Sequence, residues 1–522
     1  MTQDLVTVTI DGLQVQVPKG TSIIEAAKQA GVLVPHYCYH PSLPSPAVCR
    51  MCLVEVEKAP KLMPACVTTV VEGQVVHTDS PQARKARTGV LEFLLINHPL
   101  DCPICDQAGE CELQDYVFQE GQAGTRYGDY AKRYNPVEEF GPDVLYVANR
   151  CILCTRCVRF MDDVAGAPVL NVSERGDRAH IGIDEGQLLD HPWAGNVVDL
   201  CPVGSLISRD FLHKARAWDL DKTASVCTGC SQGCNVMLDT RDNVVVRIRP
   251  RANLEVNRHF ICDTGRMNYR WMNRGDRIEA PLAREGGRHV ATDWAPALAR
   301  LGGLARRGGT VVLLASAGAS LEALAQLRAL AGPGRVTAAV QVPMADREDP
   351  LSGVAGLALR TERAPNAEGA RLLGYGTDWA AAVQAASGAD LVLLLDATLT
   401  DAEAALVAGA AAVVVLGTTL AQALPGAELV LPVTTVAEES GTFVNRDRRV
   451  QRYQQARTAP GMARPAWWVA AGAAGADLGS AAEAFAAAAA TVPALSGLTY
   501  ADLGLNGRSL QAPSRRVDGV PA

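Results

Sequence analysis

The distribution of cysteine constrains this chain more than any other feature of its sequence. All 15 cysteines lie between Cys38 and Cys262, and residues 263–522 contain none. Disulfide bonds explain this poorly, because the count is odd, the chain is long and no signal peptide is visible at its start. Thiols held reduced, many of them at Cys-x2-Cys spacing, indicate metal or iron–sulfur ligation instead. We therefore expect a metal-binding half followed by a half without metal ligands.

The composition excludes several classes of protein. The 522 residues suffice for roughly three to four domains, and 48% hydrophobic with 20% charged residues is ordinary for a globular protein. The net charge of −7 argues against nucleic acid as the main partner. No apolar run approaches the ~20 residues that span a bilayer. We expect a soluble cytoplasmic protein, or one held at a membrane by a partner.

Residues 1–80 are predicted to form a small ferredoxin-like domain. The alternating strands LVTVTI and LQVQV are joined at Asp11-Gly12, and the helix SIIEAAKQAG follows, as in a β-grasp fold. Four cysteines come next at the spacing C-x10-C-x2-C-x13-C: Cys38, Cys49, Cys52 and Cys66. This arrangement resembles a plant-type [2Fe–2S] site, and a structural zinc site with four cysteine ligands is the alternative.

Residues 81–125 contain an amphipathic helix and then an incomplete cysteine set. The set has the spacing H-x3-C-x2-C-x5-C: His98, Cys102, Cys105 and Cys111. Three cysteines cannot complete a four-ligand cluster, so His98 is the candidate for the fourth ligand, although a histidine beside a proline is more often a capping or core residue. With His98 included, the 15 cysteines complete four sets of four.

Residues 126–219 contain the third set: Cys151, Cys154, Cys157 and Cys201. A close C-x2-C-x2-C run with a remote Cys-Pro is typical of bacterial ferredoxins that bind [4Fe–4S] clusters. Arg150, Arg156 and Arg159 flank the run. Either they offset the charge of an anionic cluster and raise its potential, or they are simple surface charges.

Residues 220–276 contain the fourth set, spaced C-x2-C-x3-C-x27-C: Cys227, Cys230, Cys234 and Cys262. Alone it is also compatible with zinc, but three iron–sulfur-like sets upstream favour a fourth cluster. From 277 to 465 helical pieces alternate with buried-strand runs, which predicts a doubly wound α/β domain. No nucleotide-binding glycine motif follows a strand, so we expect this domain to be structural. Residues 466–522 are rich in alanine and are expected to be a weak helix or a partly disordered end.

The order and spacing of the four sets resemble the G subunit of the bacterial NADH–quinone oxidoreductase (complex I) family. The resemblance is carried by HYCYHPSLPSPAVCRMCLVEV, NHPLDCPICDQAGECELQD, NRCILCTRCVRF, DLCPVGSL, VCTGCSQGCN and VNRHFICDTGRMNYRWMNRGDRIEAPL. Residues 437–451 resemble a segment of the molybdopterin oxidoreductases. The implied fold is α+β followed by α/β: a β-grasp domain, small cluster domains and a truncated α/β domain. The resemblance implies one [2Fe–2S] cluster on the first set and one [4Fe–4S] cluster on each of the others.

The resemblance also implies a function without a substrate site. Electrons from NADH reach FMN on a neighbouring subunit, enter this chain, and pass through the Cys151 and His98 sets to a subunit with two further [4Fe–4S] clusters, leading to quinone and coupled to proton translocation. Such a chain is peripheral, on the cytoplasmic side of the cell membrane, and has no catalytic residue of its own. Little chain is left for a molybdopterin domain, so no molybdopterin is expected. The alternative is the diaphorase-type subunit of an NAD-linked hydrogenase or formate dehydrogenase, although a hydrogenase would need further cysteines after Cys262.

Overall fold

The computed structural model describes residues 4–510, apart from 129–131, 133, 136 and 333. The chain forms two compact units, one containing residues 4–219 with Leu351–Ala355, the other Leu220–Pro350 with residues 356–510. The limits of the individual cluster domains stay predictions. Within the described ranges, no helix combines the length and apolarity that crossing a membrane requires.

The first unit begins with a five-stranded sheet and one helix. The elements are β1 (Leu5–Ile10), β2 (Leu13–Pro18), α1 (Ile23–Gln29), β3 (Leu53–Val56), β4 (Met63–Pro64) and β5 (Gln74–His77), with the strand order β2-β1-β5-β3-β4. The hairpin turns at Asp11-Gly12, where both residues have positive φ, 48° and 84°, as a two-residue hairpin loop requires. Val8, Ile24 and Val76 belong to the core between α1 and the sheet. The predicted ferredoxin-like fold is confirmed.

The rest of the first unit is built from short elements joined by long loops. They are α2 (Pro81–Leu95), α3 (Glu112–Glu120), β6 (Val137–Glu139), β7 (Val144–Val147), α4 (Arg156–Arg159), β8 (Leu170–Ser173), β9 (His180–Ile183), α5 (Asn196–Leu200) and β10 (Leu206–Ser208). The strands form the antiparallel sheets β10-β7-β6 and β8-β9. Short elements leave much of the backbone free to wrap around buried side chains. The cysteines of the second and third sets lie in these loops, apart from Cys157, which lies in α4, and Cys102, which begins a 3-10 turn.

The second unit opens with an antiparallel sheet of β11 (Asp221–Val226), β12 (Asn235–Arg241) and β13 (Val244–Pro250), followed by α6 (Asp263–Met267). A larger α/β domain follows. Its elements up to the last sheet strand are β14 (Leu282–Glu285), β15 (Arg288–Ala291), α7 (Trp294–Arg306), β16 (Thr310–Ser316), α8 (Leu321–Ala331), β17 (Arg335–Gln341), β18 (Asp349–Pro350), β19 (Ala358–Leu359), α9 (Ala367–Leu372), α10 (Trp379–Ala386), β20 (Leu391–Leu395), α11 (Asp401–Val407), β21 (Val413–Gly417) and β22 (Leu429–Pro432).

This domain is doubly wound. Its sheet has the order β15-β14-β22-β21-β20-β16-β17, and the five strands from β22 to β17 are parallel. Alternate residues of β16 face two separate cores: Leu313 belongs to one, and Val312 and Leu314 belong to the other. Both faces of the sheet are therefore covered, as parallel sheets require, and the predicted α/β fold is confirmed.

The alanine-rich segment packs against this domain where the structure describes it. Its helices are α12 (Ala466–Ala474) and α13 (Ala481–Thr491), and they follow the strands β23 (Gly441–Val444) and β24 (Arg449–Tyr453) and precede β25 (Arg508–Ser509). Trp467 and Phe485 are buried. A β-carbon at Gly302 on α7 would lie 2.3 Å from the carbonyl oxygen of Ala473 on α12, so α7 and α12 are in contact through their backbones. The small side chains of α12 permit this close contact. The described part of the alanine-rich segment therefore contains two packed helices, α12 and α13. Residues 511–522 lie outside the described residues.

Candidate iron–sulfur centres

The first cysteine set converges beside the N-terminal sheet. The thiols of Cys49 and Cys38 are hydrogen-bonded, and Cys66 interacts in the same way with Cys38 and Cys52. The bond from Cys38, together with burial, raises the pKa of Cys49, and the bond from Cys66 lowers the pKa of Cys52. All four predicted ligands are thus linked thiol to thiol, an arrangement that fits a cluster held by four cysteines.

The second set lies between α2 and α3. Cys105 and Cys111 are buried, and Cys102 is exposed. The Cys105 thiol is close enough to both Cys102 and Cys111 to interact with them electrostatically. Burial raises the pKa of Cys111 to about 11. The structure therefore brings the three cysteines together at the start of α3.

His98 shares a charged neighbour with this group of cysteines. Burial lowers the pKa of His98 to about 4, with the positive charges of Lys132 and Arg150 acting in the same direction. Its ring is therefore neutral at pH 7, the form that ligates a metal. Among the described residues, three charged side chains act on the His98 ring: Lys132, Arg150 and Asp101. Arg150 also acts on the Cys105 thiol. Arg150 thus lies near both His98 and the cysteines, and ligation by His98 stays a prediction.

The third set lines a single cavity in the first unit. All four of its cysteines contribute to the wall: Cys151, Cys154, Cys157 and Cys201. Leu153 and Thr155 have φ of 53° and 60°, so the backbone reverses between the cysteines and turns successive thiols inward. The Leu153 N–H donates to Cys151 Sγ at 3.4 Å. This loop has the shape and the N–H···S contact that a [4Fe–4S] cluster needs.

Burial acts on every thiol of the third set. It raises the pKa of Cys151 to about 11 and raises the pKa of Cys154, Cys157 and Cys201 as well. These thiols hold their protons at pH 7 unless a cation replaces them, so binding of a cluster is coupled to proton release.

The fourth set closes one end of the β11–β12 hairpin in the second unit. Its four cysteines are buried: Cys227, Cys230, Cys234 and Cys262. The Gly229 and Gly265 N–H groups donate to Cys227 Sγ at 3.4 Å and Cys262 Sγ at 3.3 Å. A β-carbon at Gly265 would lie 3.1 Å from Cys227 Sγ and 3.4 Å from Cys262 Sγ. A side chain at residue 265 would therefore be tight against Cys227 Sγ and in ordinary contact with Cys262 Sγ, and glycine lets the start of α6 lie close to both thiols.

Two of the three arginines beside the third set are not surface charges. Arg156 is 4% exposed and Arg150 is 7% exposed, so the surface-charge alternative is wrong for both. Their burial depends on loops distant in sequence, and the spacing of the cysteines contains no signal for it. Gly204 and Gly265 are further contacts of the sets that the sequence pattern did not single out.

A cavity of about 230 Å³ lies at the carboxyl ends of the parallel strands in the second unit. Its lining includes Glu439, which is buried, and Asp396, which is half-buried, and burial raises the pKa of each. The cavity is smaller than the ~300–1,000 Å³ of most ligand pockets. Across the described residues, no three His, Cys, Asp or Glu side chains are placed to hold a single metal ion.

Family models match most of the chain in the order of the sets. They are a 2Fe-2S iron-sulfur cluster binding domain (residues 3–81), the NADH-ubiquinone oxidoreductase-G iron-sulfur binding region (87–126), the ferredoxin-like domain of NADH-quinone oxidoreductase subunit 3 (141–207), the molybdopterin oxidoreductase Fe4S4 domain (220–274) and molybdopterin oxidoreductase (357–472). The chain therefore contains iron–sulfur cluster binding domains of the [2Fe–2S] and [4Fe–4S] kinds.

Curated relatives agree with these models. The G subunit of the NADH-quinone oxidoreductase of Rickettsia felis is 40% identical over 328 residues, covering 62% of this chain and 49% of the relative. The corresponding G subunit of Streptomyces coelicolor is 43% identical over 316 residues, covering 60% and 38%. The mitochondrial NADH-ubiquinone oxidoreductase 78 kDa subunit of Neurospora crassa is 46% identical over 297 residues, covering 57% and 40%.

The resemblance to the G subunit family is confirmed. The chain spans half or less of the length of these three relatives. Among solved structures, it is similar to a chain of an NAD+-reducing [NiFe]-hydrogenase in the H2-reduced state, with 28% identity, 40% of this chain and 90% of that chain covered, and a TM-score of 0.37.

Proposed function

We propose that this chain is the iron–sulfur electron-transfer subunit of a respiratory NADH–quinone oxidoreductase. The observation that carries the proposal is the convergence of the predicted cysteines into four groups, in a chain that is 40% identical to a G subunit over 328 residues. We assign one [2Fe–2S] cluster to the first set and a [4Fe–4S] cluster to each of the other three, with His98 as the fourth ligand of the second. No residue of the chain acts as a catalytic acid, base or nucleophile in this function.

Iron–sulfur clusters exchange single electrons when bound, and the residues of this chain hold and tune them. Cysteine thiolates ligate the iron, N–H groups such as that of Leu153 donate to sulfur, and burial controls the local dielectric. The loops of the second and third sets meet, because Gly204 follows Cys201 by three residues and lies against Cys105. Neighbouring centres favour electron transfer from the third set to the second.

We propose partners on either side of this path. Electrons enter from a subunit that binds NADH and FMN, and leave to a subunit that carries two further [4Fe–4S] clusters. This chain is held peripherally at the cytoplasmic side of the cell membrane through its partner subunits, and the whole complex couples quinone reduction to proton translocation.

Chemical analysis and spectroscopy of the full chain test this function. We expect about fourteen irons per chain, with matching acid-labile sulfide, from one two-iron and three four-iron clusters. Reduced protein should show EPR signals of both cluster kinds, and the chain should co-purify with an NADH- and FMN-binding partner. A zinc-containing chain without iron would contradict the proposal.

A further inference from the structure

Arg156 contacts three segments that are distant in the sequence. Its guanidinium Nη1 donates to Glu112 Oε1 at 3.0 Å and to the Leu200 carbonyl at 3.2 Å, and its Nη2 donates to the Tyr39 carbonyl at 2.9 Å. Each acceptor is adjacent in sequence to a predicted ligand of a different set. These ligands are Cys111, Cys201 and Cys38.

Arg159 makes a second connection from the same helix, α4. Its Nη2 donates to the Cys38 carbonyl at 2.6 Å and to the Cys154 carbonyl at 3.2 Å. One nitrogen therefore bridges a ligand of the first set and a ligand of the third. Because both acceptors are backbone groups of ligand residues, the bridge holds the two loops at a defined separation.

Arg156 also has one donor without an acceptor. Its Nε–H is buried and has no hydrogen-bond partner among the described residues, although Arg156 lines the cavity formed by the four cysteines of the third set. A buried donor without a partner is unfavourable. A cluster in this cavity would supply sulfur as the missing acceptor.

We propose that Arg156 and Arg159 form an arginine junction, in which Arg156 raises the reduction potential of the cluster on the third set and Arg159 fixes that cluster's distance from the one on the first set. This inference rests on the proposed function. In the step it serves, one electron passes from the first centre, which is oxidised, to the third, which is reduced, and no proton or co-reactant is needed. A fixed positive charge and an N–H donor both stabilise the more negative, reduced form.

The test of Arg156 compares two substitutions by redox titration followed by EPR, on the full chain with iron quantified. Arg156→Gln removes the charge and should shift the oxidised–reduced equilibrium of the third cluster about tenfold towards oxidised, about 59 mV for a one-electron couple. Arg156→Lys keeps the charge and should shift the equilibrium less. If Arg156→Gln loses the cluster, the lysine variant supplies the measurement, and a shift of its third cluster alone supports the proposal.

Arg87 offers a matched control in the same unit. It is 1% exposed and pairs with Glu120, and it donates to the Thr78 carbonyl at 2.6 Å, but its partners are not adjacent to a ligand. Arg87→Gln should lower stability and leave every potential unchanged. An equal shift in this control would overturn the role of Arg156. So would an unchanged potential in iron-replete Arg156→Gln or, where only Arg156→Lys keeps the cluster, an unchanged potential in that variant.

The role of Arg159 is tested by a measurement that depends on the distance between the first and third clusters. Arg159→Gln should weaken the magnetic coupling between the reduced first and third clusters, and because this change also removes a positive charge near both sets, the coupling and not a potential is the readout. Unchanged coupling would overturn the bridging role. Absence of iron from the unmodified chain would instead contradict the proposed function itself, so the two failures are distinguishable.

Discussion

The sulfur of Cys105 lies directly against the backbone of Gly204. A β-carbon at residue 204 would lie 2.1 Å from Cys105 Sγ and 3.1 Å from the β-carbon of Gln107. Since the first atom is a buried thiol and not the flexible end of a long side chain, the loops of the second and third sets can approach only with glycine at this position.

This contact predicts the effect of Gly204→Ala. Overpacking of this kind costs about 1–3 kcal/mol, and here it displaces a predicted iron ligand. We expect lower thermal stability and a loss of up to four irons from the second set, measured by iron analysis. Gly89→Ala is the control, because Gly89 lies in α2 with open space around it. Full iron content and unchanged stability in Gly204→Ala would contradict the predicted contact.

His98 is predicted to be the fourth ligand of the second set. Replacing a neutral imidazole by thiolate makes a cluster more negative, so His98→Cys should keep a cluster and lower its potential by on the order of 100 mV. His98→Ala should alter the EPR signal of one cluster only. His77 pairs with Glu57 at 3.2 Å on the sheet of the first unit, and His77→Ala should change no cluster signal. If His98→Ala also leaves every signal unchanged, His98 is not a ligand.

The third set is predicted to lie on the electron path. Loss of Cys154 should abolish NADH-to-quinone transfer in the assembled complex, while NADH oxidation by an artificial acceptor at the flavin continues at its normal rate. The artificial-acceptor rate in the same preparation controls for assembly. Normal quinone reduction in a variant shown by EPR to lack this cluster would remove the third set from the path.

The fourth set is predicted to be mainly structural. Its ligands connect the β11–β12 hairpin to the start of α6, and cluster binding of this kind is coupled to folding. Cys230→Ala should therefore reduce the amount of assembled complex several-fold, with a smaller effect on turnover per complex, and metal analysis should find no molybdenum or tungsten. A large loss of turnover with normal assembly and three intact clusters would show that the fourth cluster conducts.

Two buried acids predict a pH dependence of stability in the second unit. Burial raises the pKa of Glu322 to about 8 and of Glu439 to about 7, from an ordinary value of 4.5. The folded chain keeps these protons while the unfolded chain releases them, so their contribution is complete below pH 4.5 and is lost as the pH rises to about 8. Thermal unfolding should therefore occur at lower temperature at pH 8 than at pH 5.

Glu322→Gln tests this prediction, because glutamine cannot ionise. Thr442 donates both its N–H and its hydroxyl to Glu322 at 2.9 Å, and glutamine retains one of these acceptors. We expect a flatter dependence of the unfolding temperature on pH than in the unmodified chain. The exposed Glu285 is the control, and Glu285→Gln should leave the slope unchanged. Equal slopes in the unmodified and Glu322→Gln chains would contradict the predicted shift.

The sequence by itself determined the four cysteine sets, the order of the folds and the doubly wound sheet. These features depend on residues that are close in the sequence. Cysteines separated by two residues share one loop, and buried parallel strands form continuous apolar runs such as Leu391–Leu395. Even the hairpin at Asp11-Gly12 follows from two adjacent residues that tolerate positive φ.

Only the tertiary structure decided what joins the sets. The Arg156 guanidinium meets the Tyr39 carbonyl across 117 residues of sequence and the Leu200 carbonyl across 44, and Gly204 meets Cys105. The sequence around an arginine near a group of cysteines does not indicate whether its side chain faces solvent or a buried carbonyl. Which of the two occurs depends on the packing of distant loops, since burying a guanidinium is favourable only where acceptors have already been brought around it.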